Sequence, residues 1–185
     1  MTYLDEQQGT PTSPVAASLP APVGVRVPEP SPALSLPNAL DVSGLTVIAW
    51  PDPGLDAAGH DPRATYARRF WTPTLGPSTL LLMALLVERL EREPAGFPLD
   101  ATTTAKALGL GGSDSRHAPF ARSVLRLARF GHAELRDADT TFAVRRRLPS
   151  LTARQVGKLP EPLAAAHDAF LAARPRVLAP VQKSD

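Results

Sequence analysis

Arginine is the residue whose placement most suggests chemistry in this chain. Arg122, Arg126 and Arg129 are spaced i, i+4 and i+7, which puts three guanidinium groups on one face of a helix, opposite Val124 and Leu127. Arg116 and His117 precede them at the start of the same segment, and Arg136, Arg145 and Arg147 follow in alternating sequence. A guanidinium makes bidentate bonds to guanine and charge-assisted bonds to phosphate, so a helix carrying this set suits a nucleic-acid groove. The charge is segregated in the same sense. Residues 1–60 hold one arginine against six acids, whereas residues 101–158 hold eleven basic groups against four acids. Two facts pull the other way. Arginine far outnumbers lysine throughout, as in proteins from GC-rich genomes, so a solvated arginine face is the plain alternative. Asp137 and Asp139 also stand where the tip of a hairpin would meet phosphates and repel them.

Other chemistries find little material. His60, His117, His132 and His167 are scattered, and no two share the spacing of metal ligands on one helix. His60-Asp61 and His167-Asp168 are adjacent pairs, but sequence neighbours on a helix do not share a face. Gly109-Leu110-Gly111-Gly112 lacks the lysine of a phosphate loop, and no serine sits in a nucleophile elbow. The absence of cysteine excludes disulfides and thiolate metal sites. These observations predict no catalytic residues, no metal and no cofactor.

The elements that must position the arginines follow from punctuation and periodicity. Residues 1–43 are crowded with proline and small residues and predict a disordered tail. In 44–76, Leu45 to Trp50 reads as a strand, and a loop leads to Asp61-Pro62, an N-cap followed by proline. A short helix is expected from there to Trp71, stopping before Thr72-Pro73, with Tyr66 and Phe70 one turn apart. Gly76-Pro77-Ser78 opens a helix to about Glu93 whose first two turns, Leu80 to Val87, are apolar all round. Such a helix is expected to be buried on several sides, by the aromatic segment or by a second copy of the chain.

Phe97-Pro98-Leu99 is a short extended link, and Asp100 caps a helix over Ala101 to Leu108. A third helix with Pro119 in its first turn ends at Gly131, and 132–137 with 140–146 predict a two-stranded hairpin. Helix, short strand, helix, turn, helix, hairpin is the order of a winged helix-turn-helix. The strings Ala107-Leu108-Gly109-Leu110 and Val124-Leu125-Arg126-Leu127-Ala128-Arg129-Phe130-Gly131 resemble the core of many winged-helix regulators. Gly59-His60-Asp61-Pro62-Arg63, Arg69-Phe70-Trp71 and Leu75-Gly76-Pro77-Ser78 resemble a family of uncharacterised proteins from GC-rich bacteria, which implies a bacterial, cytoplasmic protein.

The expected fold is therefore mainly α with a small β-hairpin. A winged helix over 77–148 is preceded by a strand and short helix, and followed by C-terminal helices over 149–174 and a frayed tail over 175–185. No secretory signal or membrane span is expected, the longest apolar run being far short of the roughly 20 residues a span needs. The arginine pattern on the third helix, where a winged helix usually meets the major groove, leads to the expectation of a DNA-binding regulator. Its groove-facing set would be Arg116, His117, Arg122, Arg126 and Arg129, with Arg136, Arg145 and Arg147 on phosphates. The competing expectation is a non-enzymatic adaptor that uses its winged helix and the aromatic patch of Tyr66, Phe70 and Trp71 to bind another protein.

Overall fold

A computed structural model describes residue 42 and residues 44–110, 118–138 and 140–173. The tail expected over 1–43, apart from Val42, lies outside these residues, as do Arg116, His117, Asp139 and the segment 174–185. The described chain is mixed α/β and about half helical. Strand β1 (Thr46–Ala49) is followed by α1 (Pro53–Ala58), a π-helical turn (Ala67–Trp71), α2 (Thr72–Leu75) and α3 (Pro77–Arg92). Then come β2 (Phe97–Pro98), α4 (Ala101–Ala107), α5 (Pro119–Arg129), β3 (Ala133–Arg136), β4 (Thr141–Val144), α6 (Ala153–Val156) and α7 (Glu161–Ala172).

The sheet departs most from the expected two-stranded hairpin. It has four strands in the order β2-β1-β4-β3. β1 pairs antiparallel with β2 and parallel with β4, so the strand expected to precede the domain lies at the centre of its sheet. Val47, aligned with Phe97 on one side and Phe142 on the other, is fully buried. The approach is close: at Gly96, where φ is 98°, a Cβ would lie 2.6 Å from the Val47 carbonyl oxygen. Only glycine fits both the conformation and the space.

Three local readings are corrected. The segment after β1 is not a plain loop, because Asp52 accepts a 3.0 Å bond from the Leu55 amide and Pro53 opens α1. The aromatic helix does not stop at Thr72-Pro73. It widens into the π-helical turn and continues as α2. The widened turn accommodates a proline that would clash within a regular α-helix. Finally, α6 begins not at Pro149-Ser150 but after Thr152, whose capping box with Gln155 satisfies both ends of the turn.

The helix breaks at Gly76, where φ is 82° and ψ is 150°, a region open essentially to glycine alone. That corner separates α2 from α3 and turns α3 back against the aromatic segment. Tyr66, Phe70, Trp71 and Leu75 are buried together with Leu82, Met83 and Leu86 of α3. Each large apolar side chain so buried contributes about 1.5–3 kcal/mol. α3 is not covered all round, since Leu81 remains 57% exposed and Ala84 and Leu85 are half-buried. α3 lies against β1, β4 and α5, and α5 lies against β3.

The C-terminal segment closes over the aromatic residues. The Trp71 indole N–H donates to the Pro149 carbonyl at 2.9 Å, and the Leu151 amide donates to the Tyr66 hydroxyl at 2.8 Å. That hydroxyl is also 3.0 Å from His167 Nε2 on α7, while His60 stacks on the Tyr66 ring at 3.5 Å.

Candidate nucleic-acid interface

α5 is amphipathic for simple reasons. Phe120, Ala121, Val124 and Leu127 recur at helical spacing and are buried, which leaves the intervening arginines outward. Pro119 starts the helix in its first turn, where a missing N–H costs nothing, and the Ser123 hydroxyl folds back onto the Pro119 carbonyl at 3.0 Å. Arg122, Arg126 and Arg129 are all exposed on the face this creates.

The three arginines border a groove of about 810 Å³ between α5 and the corner that begins α3. Its other walls include Gly76, Ser78, Thr79 and Leu125, and no acidic residue is among the described residues that line it. Arg126 is partly engaged. Its Nη2 donates to the Thr74 carbonyl at 2.8 Å, and its guanidinium carbon lies 5.4 Å from the centre of the Phe130 ring. A guanidinium has five N–H donors, so most of its bonding capacity remains. No carboxylate pairs with Arg122, Arg126 or Arg129 among the described residues.

The arginines after the hairpin have a different setting. Arg145, Arg146 and Arg147 run alongside the segment that follows β1, where each meets an aspartate. Arg145 pairs with Asp52, Arg146 with Asp56 at 3.0 Å and Arg147 with Asp61 at 3.7 Å. A backbone bridge between His60 and Leu148 holds the two segments in register. Arg145 also lies over the Trp50 ring at 4.2 Å, and Arg136 bonds Glu134 at 2.8 Å. Arg63 is likewise occupied. It bonds Asp61 and Glu91 at 2.7 and 2.6 Å, and holds both carboxyls below their usual range. Among the described residues, the groove-facing trio thus stands together without carboxylate partners, whereas Arg136, Arg145 and Arg147 are engaged within the fold.

Sequence reasoning missed the second wall of the groove. Gly76-Pro77-Ser78 is legible as a helix start, and a helix start presents free amides and positive potential. Nothing in the spacing shows that it faces a helix more than forty residues later. The aromatic patch of the adaptor reading is not a surface, since Tyr66, Phe70 and Trp71 are all buried. No group of three or more potential metal ligands occurs among the described residues, which include His60, His132 and His167. His60 Nε2 lies 3.0 Å from Ser150 Oγ, and His167 Nδ1 lies 3.2 Å from Asp168 Oδ1. No helix among the described residues is long and apolar enough to cross a membrane. No known protein family, curated protein or solved structure matches the chain.

Proposed function

We propose that this protein binds duplex DNA through the exposed face of α5, with Arg122, Arg126 and Arg129 as the contacting residues, and that its role is in gene regulation as a winged-helix protein. The observation that carries this reading is the contrast in arginine partners. The arginines after the hairpin have aspartates beside them, whereas those of α5 face a groove with no acidic residue and no carboxylate partner among the described residues. Unpaired guanidinium groups on one face are what phosphate and base-edge contacts require, because a paired arginine must first lose its internal bond. Arg136, Arg145 and Arg147 are then chiefly structural, so the acidic hairpin tip need not approach the duplex.

The test is fluorescence anisotropy of the full chain with a short labelled duplex over a range of salt concentrations. Binding is expected to weaken steeply as salt rises. Arg122→Ala and Arg129→Ala together should flatten the log–log salt dependence by about 1.8, at about 0.9 per lost phosphate contact, with unchanged thermal stability. These two are cleaner probes than Arg126, whose side chain also ties α5 to the Thr74 carbonyl. No binding at low salt, or binding insensitive to salt, would overturn the proposal.

A further inference from the structure

The groove has a second feature besides its arginines. α3 is sixteen residues long and its N-cap is Gly76, which has no side chain to cap it. Pro77 has no N–H, so the first donors the helix presents are the amides of Ser78 and Thr79, neither met by a capping side chain. The Thr79 side chain lines the same groove, is only 3% exposed, and has no hydrogen-bond partner among the described residues. Its hydroxyl is not sealed in either. The sealed polar side-chain atoms without partners, among the described residues, are His132 Nε2 and Arg145 Nε. Thr79 is thus a nearly buried side chain that lines the groove with its hydroxyl unpartnered among the described residues. The neighbouring hydroxyl of Ser123 does not compete, because it is committed to the Pro119 carbonyl.

An uncapped helix start, a threonine hydroxyl and an arginine, the last two without partners or carboxylates among the described residues, together present several donors to one place. The ligand class that matches is a tetrahedral oxyanion, with several oxygens to accept from several directions. Resting on the reading of α5 as the DNA-contacting helix, we infer that the start of α3 seats one backbone phosphate of the same duplex, between the amides of Ser78 and Thr79, the Thr79 hydroxyl and the Arg122 guanidinium. Such a contact carries no sequence information, but it sets the register in which α5 meets the bases.

The experiment follows the amide resonances of the isotope-labelled full chain during two titrations, one with duplex DNA and one with inorganic phosphate. DNA is expected to move the Ser78 and Thr79 amides together with the signals of α5. Inorganic phosphate should move Ser78 and Thr79 at far higher concentration. Ser78→Pro removes one donor at a helix position that tolerates proline, and Thr79→Val removes the hydroxyl at similar size. Each should weaken DNA binding about 10-fold at moderate salt while the thermal midpoint stays close to that of the parent.

If DNA binds but leaves Ser78 and Thr79 unmoved, or both variants bind like the parent, the phosphate seat is wrong while the α5 reading stands. If phosphate moves these amides and DNA does not bind at all, the groove is a small-anion site, and both the seat for a DNA phosphate and the DNA reading fall.

Discussion

His132 shows how a single residue depends on its surroundings. It stands just before β3, is almost wholly buried, and meets the Trp71 ring edge-on at 4.7 Å with Nε2 unpartnered among the described residues. Burial, and then the positive charge of Arg145, push its pKa from the ordinary 6.5 down to about 3. The unfolded chain takes up this proton near pH 6.5, whereas the folded chain resists until about pH 3. Stability from this group is therefore complete above pH 6.5 and falls on acidification through the interval below it, at about 1.4 kcal/mol per pH unit. Urea unfolding from pH 7 down to pH 4 should show this loss. His132→Leu should flatten the acid slope, and an unchanged slope in that variant would refute the assignment. Arg145 is comparable. In sequence it is one more basic residue near a hairpin, but in the fold it is a strut between Asp52 and Trp50.

The elements owe their boundaries to a few local devices. Asp52, Asp100 and Thr152 each receive a backbone amide at a helix start, and Gly76 breaks one helix from the next. The start of α4 and the span of α3 were legible because caps, prolines and apolar periodicity act within a few residues of themselves. The passage of the aromatic helix through Pro73 was not, because a π-helical turn depends on packing around Tyr66 and Phe70 rather than on local preference. The tip of the β3–β4 hairpin holds a small strain. Asp137 and Ala138 have φ of 53° and 55°, and alanine has no polar side chain to support that conformation. Ala138→Gly should relieve it and raise stability by about 0.5–1 kcal/mol, measured as a higher urea midpoint with unchanged m-value. A lower midpoint would mean that the left-handed turn is not the solution conformation.

At the scale of the molecule, β1 alters what counts as a unit. Residues 77–148 contain every element of the expected winged helix, yet β1 stands between two of its strands and the aromatic segment covers one of its helices. Residues 77–148 expressed alone should therefore fail to fold, because β2 and β4 lose their shared neighbour and α3 loses the cover of Phe70 and Trp71. Poor amide dispersion and no cooperative thermal transition are expected of that fragment, whereas a well-dispersed spectrum would show that β1 is an accessory. Taken by itself, the amino-acid sequence determined most helix spans, the hairpin strands and the amphipathic face that aligns Arg122, Arg126 and Arg129, since all of these arise from interactions a few residues apart. Tertiary structure decided the central place of β1, the pairing of Asp52, Asp56 and Asp61 with the arginines that follow β4, and the groove between α5 and the start of α3. Each of these joins residues tens of positions apart, and their meeting depends on how the buried faces pack, which spacing along the chain does not encode.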